Sequence, residues 1–493
     1  MQVLQSRPQT MLQRSVMTLA LATALAGCAN LAPDYQQVAA PVPADWSQQV
    51  NGRQIVAANG ERAAQTNAAD AIGWRQFFLD ARLQKVIEQS LANNRDLRVA
   101  ALNIERARAQ YRIADADRFP DIGVTGTSSA SRTPAGVSTS GRATVTRQQS
   151  VTLGISSYEL DFFGRIKNLS DAALETYRYQ EETRRSTHIS LVAEVATAWL
   201  TLGSDRELLR LAENTLQSQA RTFELSQRSH DIGTTSGVDL ASQEATVESA
   251  RADVARYTAQ VAQDVNALRL LVGGDVDARD LPDGLPDAAS VLLPTPAGLP
   301  SEVLLRRPDV LAAEHTLKAA NADIGAARAA FFPSISLTAN GGTASQTLGG
   351  LFKPGSASWS FVPSIRLPIF NAGSLQASLD SVRITRDIDV ASYEKAIQTA
   401  FREVADALSV RATLDQRLNA QSRATAANEK SYRLSEARYR NGVDSYLTTL
   451  VSQRSLYSAQ QTLIALRLTE QSNRITLYKV LGGGWNAQSG ATQ

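Results

Sequence analysis

The side chains that most often carry chemistry are few in this sequence and poorly spaced for it. His188, His230 and His315 are the three histidines, and no two stand at a metal-ligand spacing such as His-x-x-x-His. Gly482-Gly483-Gly484 lacks the Lys-Ser/Thr pair of a phosphate loop and reads instead as a helix stop. Asp161-Phe162-Phe163-Gly164 matches a kinase triad only superficially. Catalysis is not expected, and neither is a resident metal. One reactive residue remains, the single cysteine Cys28. A lone thiol excludes an intrachain disulfide and any cysteine-based metal site. It follows Leu25-Ala26-Gly27 at the end of an apolar run from Val16 to Ala26, behind a segment that holds Arg7 and Arg14 and no acid. A basic start and a short apolar run make a secretory leader, since a membrane-spanning helix needs ~20 apolar residues. Leu-Ala-Gly-Cys is the pattern of a bacterial lipobox, so the expected chemistry is acylation of Cys28 as the first mature residue. Ala29 in place of Asp points by the usual sorting pattern to the outer membrane. A covalent lipid on Cys28 is then the one non-protein group expected, with no cofactor. Met1, Met11 and Met17 all precede Cys28, and a start at Met11 would leave a more compact leader.

Composition narrows the class further. Removal of Arg7 and Arg14 with the leader takes the formal charge from +2 to zero, and no basic patch stands out, which argues against nucleic acid as a partner. No stretch after the leader reaches ~18 consecutive apolar residues, so a mature chain that crosses a membrane must do so as a closed β-barrel.

The elements recur. At a constant offset of 213, Asp96 meets Asp309, Ala100 meets Ala313, and Arg118-Phe119-Pro120-Asp121-Ile122 meets Phe331-Phe332-Pro333-Ser334-Ile335. Leu160-Asp161-Phe162-Phe163 answers Leu367-Pro368-Ile369-Phe370. Ile232-Gly233 and Val272-Gly273 answer Asn441-Gly442 and Leu481-Gly482 at offset 209. The order helix, two strands, long helix, turn, long helix occurs twice, which reads as two internal repeats. Strands are expected over about 121–130 and 149–160 in the first repeat. In the second, Ile335, Leu337 and Ala339 alternate with small polar residues, as do Trp359, Phe361 and Ile365. Pro363 predicts a bend or an unpaired position. Segments 132–147 and 341–358, rich in Gly, Ser and Thr, read as loops. Four strands of transmembrane length cannot close a barrel, so three chains would supply twelve, with Gly, Ser and Thr toward water and Val, Leu, Trp and Phe toward lipid. Between about 167 and 229 there is no proline and only one glycine, Gly203, which would make a helix of roughly 90 Å. Leu240, Val247, Val254, Val261 and Leu268 fall seven apart in its partner, a coiled-coil spacing interrupted at Asp264. Leu456, Leu463 and Leu477, interrupted by Glu470, form a less regular stripe in the second repeat.

Across nearly the whole mature chain the sequence resembles the OprM branch of the TolC-type outer-membrane efflux proteins. The stretches that carry the likeness include Leu31-Ala32-Pro33-Asp34-Tyr35 after Cys28, Gly73-Trp74-Arg75-Gln76-Phe77-Phe78, 94–103, Glu159 to Arg165, Arg306-Arg307-Pro308-Asp309, 325–335 and 481–485. The resemblance implies an α+β fold: a homotrimer with a twelve-stranded transmembrane β-barrel, four strands per chain, continuous with a long α-helical periplasmic barrel. It implies an equatorial belt from residues near both ends and the 274–300 linker. It also implies a periplasmic adaptor and an inner-membrane transporter of the resistance-nodulation-division type as partners, with this chain as a passive multidrug conduit. In the family an iris closes the periplasmic tip just after the turn between long helices, with Leu, Asp and Arg at i, i+4 and i+7. Leu447 and Arg454 match, but the aspartate position is Val451, and a second tip aspartate falls at Thr448. Asp239 and Tyr439 match positions that hold the tip shut, while the basic partner expected near them is Asp444.

The expected organisation is a leader over 1–27, a lipid-anchored N-terminal segment over 28–80, repeat 1 over 81–273 with its hairpin at about 121–160, and the linker 274–300. Repeat 2 spans 301–481 with its hairpin at about 334–369, and a tail covers 482–493. The rival of a different class is a coiled-coil lipoprotein without a pore; within the channel class the rival is a metal-ion efflux channel. The absence of methionine after Met17 removes soft thioether ligands and argues mildly against the second.

Overall fold

The computed structural model describes residues 30–43, 46, 48–50, 53–55, 72–293 and 301–488. The leader and Cys28 lie outside them. A short antiparallel ribbon, β1 (Gln48–Val50) and β2 (Arg53–Ile55), comes first. The chain continues through α1 (Trp74–Phe77), α2 (Ala81–Asn93), α3 (Arg95–Ala116), β3 (Ile122–Thr133), β4 (Thr144–Leu160), α4 (Arg165–Asp231) and α5 (Gly237–Val272). After a linker holding the short α6 (Ala288–Val291) come α7 (Pro308–Ala329), β5 (Ser334–Ser345), β6 (Ala357–Arg366), α8 (Ser374–Arg440) and α9 (Tyr446–Val480). Helices of 22, 67 and 36 residues (α3, α4, α5) are answered in order by helices of 22, 67 and 35 (α7, α8, α9). No described helix is long and apolar enough to cross a membrane.

The chain divides into two compact units that draw on both halves of the sequence. The first (1–39, 104–180, 313–393) holds an antiparallel sheet in the order β3-β4-β5-β6. Its strands run further than the composition suggested: β3 continues to Thr133 and β4 starts at Thr144, so both ends of 132–147 are strand and the loop is 134–143. Likewise β5 runs on through Gly341, Gly342 and Thr343 to Ser345. Small polar residues here form strand rather than loop because the ladder, not the side chain, supplies the pairing. At Gly342 there is no room for more, since a Cβ would lie 2.1 Å from the Val151 carbonyl oxygen. Pro363 keeps the register rather than standing unpaired; it sits opposite Leu337 on β6, an edge strand where a missing N–H is tolerated.

In the same unit Phe163 stacks on Phe332 at 4.7 Å, and the Asp161 carboxylate accepts the Lys167 N–H, capping α4. The segment after Cys28 is strapped along α7. Asn321 donates to the Pro33 carbonyl at 2.7 Å, Arg328 to the Leu31 carbonyl at 3.0 Å, and the Tyr35 hydroxyl to Glu314 at 3.0 Å.

The second unit (40–103, 181–312, 394–493) has its core around α1. Trp74, Phe77 and Phe78 are buried among Leu83, Val86 and Ile87 of α2, the 191–202 stretch of α4, Leu268 and Val272 of α5, and Tyr478 of α9. Phe77 and Tyr478 stack face to face at 3.8 Å, and the Tyr478 hydroxyl donates to the Ile72 carbonyl at 2.6 Å. The linker is irregular, so its carbonyls need partners from elsewhere. Trp199 and Arg206 serve Asp280 and Pro282, Arg210 serves Asp283, and Arg467 and Gln471 serve Leu285 and Pro286. Arg307 is buried, bonded to Asp309 and Glu403, and donates to the Val480 carbonyl at the end of α9. Gly482, at φ +85°, then turns the chain back against Tyr478.

Phe77 is the keystone of this second core. Its replacement by Ala removes a stacked aromatic with no room for collapse and should cost about 3–5 kcal/mol, read as a lower thermal unfolding temperature. An unchanged midpoint would refute that role.

Candidate functional site

The sheet register sorts side chains into two chemically distinct faces. Residues directly opposite one another share a face, so Ile122, Ile155, Ala339 and Phe361 form one row across all four strands. On one side of it the next row is Val124, Leu153, Gly341 and Trp359; on the other lie Tyr158, Leu337 and Pro363, then Leu160, Ile335 and Ile365. The opposite face carries Gly123, Gly154, Asn340 and Ser360, then Thr125, Thr152, Gly342 and Ser358. Trp359 is 82% exposed and Phe361 59% exposed in the single chain, so among the described residues nothing covers these apolar side chains.

Sequence alternation alone missed how β4 keeps to this pattern. Val151, Leu153 and Ile155 are odd-numbered, whereas Tyr158 and Leu160 are even. A β-bulge between Ile155 and Tyr158 absorbs the extra residue, with Ser157 at φ +57° and its N–H bonded to the Thr338 hydroxyl. The bulge returns Tyr158 and Leu160 to the apolar face.

The residues matched to a gate gather at the turn between α8 and α9 and the start of α5. Leu447 (64% exposed) and Val451 (57% exposed) stand one helical turn apart on α9, and Arg454 is also exposed. Tyr439 packs edge-on against Tyr446 at 5.5 Å. Burial, with the neighbouring Tyr439 second, pushes the Tyr446 hydroxyl up to about 12; Asp239 raises it and Arg454 lowers it. Three of the residues matched to a gate, Tyr439, Asp239 and Arg454, therefore share one electrostatic neighbourhood around Tyr446. Asp239 makes no hydrogen bond to Tyr439 among the described residues. Its carboxylate accepts the Ser236 hydroxyl at 2.8 Å while Ser236 caps the Asp239 N–H, a local N-terminal box on α5. Asp444 finds a basic partner within its own chain, a two-bond fork from Arg438 at 2.6 and 2.9 Å. That fork lowers the Asp444 carboxyl below its ordinary range. Opposite charges flanking Asn441-Gly442 were the available signal. Gly233 (φ +79°) and Gly442 (φ +73°) end α4 and α8 in the left-handed conformation that such tight turns require.

Asp264, the interruption of the coiled-coil stripe, faces Asp205 of α4. Burial first, then a hydrogen bond and repulsion from Asp264, pushes the Asp205 carboxyl up to about 7 against the opposing Arg256. Gln260 donates to Asp264 Oδ1 at 3.1 Å, while Oδ2 is buried without a donor of any other residue. A proton on Asp205, favoured below about pH 7, would offset the repulsion between the two carboxyls. The stripe is otherwise buried or half-buried, with Val247, Ala250, Tyr257 and Leu268 innermost. Glu470 of α9 is handled differently, through Arg474 one turn on.

A sheet with one apolar and one small polar face, joined to paired helices of 67 and 35–36 residues, defines a membrane channel subunit. The chain belongs to the outer membrane efflux protein family, which its residues 86–274 and 299–483 match. The probable efflux pump outer membrane protein TtgC of Pseudomonas putida is 51% identical over 481 residues, 97% of each chain. The cation efflux system protein CusC of Escherichia coli is 42% identical over 471 residues, 94% of this chain and 97% of its own. The crystal structure of a membrane protein from Pseudomonas aeruginosa superimposes with a TM-score of 0.84 at 40% identity, covering 92% of this chain and 100% of that one. The likeness to TolC-type efflux proteins drawn from the sequence is thereby borne out, and this chain is an outer-membrane efflux protein.

The Asp205–Asp264 pair carries a measurable consequence. Asp205 is raised in the folded protein from 3.8 to about 7, so its stabilisation is full below about pH 4 and is lost as pH rises through about 7. Asp264→Asn supplies an amide donor and removes the repulsion. Its thermal stability should therefore fall less between pH 5 and pH 8 than that of the wild type; parallel falls would sink the assignment.

Proposed function

We propose that three copies of this chain assemble into a twelve-stranded barrel that serves as the exit duct of a tripartite multidrug efflux system. The observation that carries this reading is the sheet, which has free edges at β3 and β6, one exposed apolar face and one small polar face. Open edges in hydrocarbon leave backbone N–H and C=O groups unsatisfied, each costing several kcal/mol, and pairing β6 of one copy with β3 of the next removes them. The apolar face then meets lipid and the Gly, Ser and Thr face lines water. Equal helix lengths in the two halves support a duplicated unit whose paired helices continue the duct into the periplasm. A periplasmic adaptor and a proton-driven inner-membrane transporter complete the path and supply the energy, and the cargo is drugs or other toxic compounds. Relatives named for antibiotic, toluene and solvent efflux support that cargo class.

Cys28 carries the lipid anchor. The strap of residues 31–35 along α7 supports this, because Arg328, which holds Leu31, lies six residues before the start of β5 and so near the membrane-facing sheet. Cys28→Ser with a cleavable leader is expected to assemble in part, since the sheet edges rather than the lipid make the trimer. Complete absence of trimer from outer-membrane fractions of that variant would refute the expectation.

The gate lies at Leu447, Val451 and Arg454, steadied by Asp239 and Tyr439. Without the family's aspartate, three copies present an apolar ring in place of an acidic one, and a cation finds no concentrated negative charge there. In planar bilayers the purified trimer is expected to give discrete conductance steps with weak cation selectivity, which Val451→Asp should raise. Unaltered selectivity in Val451→Asp would move the constriction elsewhere. Silence from both wild type and a tip-opening Tyr439→Phe variant would overturn the channel reading in favour of a scaffold lipoprotein.

A further inference from the structure

The charges of the sheet are segregated along the strands. Between Ile122 and Tyr158 the charged residues are Arg132, Arg142 and Arg147, and between Ser334 and Ile365 there is only Lys353. No acid occurs in either stretch. All four cations lie at the hairpin end of the sheet, are exposed, and make no ion pair among the described residues. The opposite end mixes both signs, with Arg165 paired to Glu159 at 2.7 Å and Arg118 to Asp115 at 3.0 Å.

Register shows which face two of these cations share. Arg147 pairs with Ala130 and Arg132 with Val145, in the ladder that sets Val124 against Leu153 and Ile122 against Ile155. Both guanidiniums therefore spring from the apolar face, not from the Gly, Ser and Thr face. They are diagonal neighbours, a relation that places side-chain origins roughly 7–8 Å apart, within reach of a single phosphorylated headgroup. Their level matters equally. The last row to carry a large apolar side chain before the arginines is Gly126, Val151, Thr343 and Ala357. The Arg147 row stands two rows beyond it, ~13 Å along the strand, and the Arg132 row three rows beyond, ~20 Å along the strand. For a strand tilted ~45° that puts both just outside the hydrocarbon band, at headgroup height.

We propose that Arg132 and Arg147 form an anion-binding site on the lipid-facing side of the β3–β4 hairpin, which takes the phosphates of the phosphorylated glycolipid of the outer leaflet. The inference rests on the barrel reading above. Guanidinium forks suit phosphate oxygens, and a surface cleared of acids for the whole length of both hairpins removes the repulsion such a ligand would meet. In a trimer the site occurs three times around the rim and ties the barrel to the leaflet through charge as well as through apolar contact.

The intact trimer in mild detergent is titrated with bisphosphorylated lipid A and with the same lipid stripped of phosphate. Complexes are counted by native mass spectrometry, and the same samples are tested for conductance. The wild type is expected to prefer the phosphorylated form, with R132Q/R147Q weaker by about 30-fold. Arg366→Gln, at the opposite end of the sheet, should bind like the wild type, and R132K/R147K should retain most of the affinity. Equal binding of the two lipids by the wild type, or unchanged affinity in R132Q/R147Q, overturns the site. A change in ion selectivity with lipid A affinity intact also overturns it and assigns the arginines to the pore mouth. Failure of the barrel reading itself looks different: the wild type then yields neither trimer nor conductance, and both proposals fall together.

Discussion

Backbone hydrogen bonding at the sheet edges is the constraint from which the rest follows. Four antiparallel strands satisfy one another internally, but β3 and β6 each leave a row of N–H and C=O groups with no partner in the chain. In water those groups are solvated; in hydrocarbon they are not. The apolar face argues against water as the sole environment, because Trp359, Phe361, Ile365, Val124 and Leu153 stand on one side exposed, with nothing among the described residues over them. A lipid-facing surface and open edges are compatible only if the edges close on further copies. The proposed threefold assembly meets both conditions.

The helical unit answers a related difficulty. Long helices satisfy their own backbones, but the linker between the two halves of the chain does not. Its carbonyls from Asp280 to Pro286 are met by Trp199, Arg206, Arg210, Arg467 and Gln471, all from α4 or α9. Aromatic packing of Phe77 on Tyr478 then joins α1 to the end of α9, and Arg307 closes that end by holding the Val480 carbonyl. Polar side chains at these points thus do for irregular backbone what ladder pairing does for the strands.

Much of this was legible in the residues, and the exceptions have physical reasons. Alternation at Ile335, Leu337, Trp359 and Phe361 identified the faces, because a period of two has one geometric outcome once a register exists. The lengths of β3 and β4 were underestimated: Ser, Thr and Gly line a water-facing strand and a loop equally well, and only pairing separates them. The bulge at Ser157 was invisible because alternation on either side of it reads as two unrelated stretches. Asp264 was visible as an oddity in the coiled-coil stripe, but its partner Asp205 lies on a different helix, and single-sequence reasoning has no access to such pairs. At the tip, likeness to relatives located Asp239 and Tyr439 in one region. It did not anticipate that the Asp239 carboxylate is engaged by Ser236 of its own helix, since local capping competes with longer contacts at every helix start.

The same local engagement bears on how the proposed gate is charged. Asp444 is neutralised by a two-bond fork from Arg438, while the Asp239 carboxylate keeps its charge at the α5 cap, where Ser236 holds it. Val451 and Thr448 bring no charge, while Arg454 remains exposed one turn beyond Val451. What three copies would set around the axis is therefore Leu447 and Val451, with basic rather than acidic charge behind them. An apolar constriction resists ions by excluding water, whereas an acidic ring admits and binds them, so in the proposed gate Val451 would change the kind of barrier as well as its strength. A duct that takes its cargo from a pump loses nothing by this, because apolar and weakly polar compounds cross such a ring more readily than hydrated ions do.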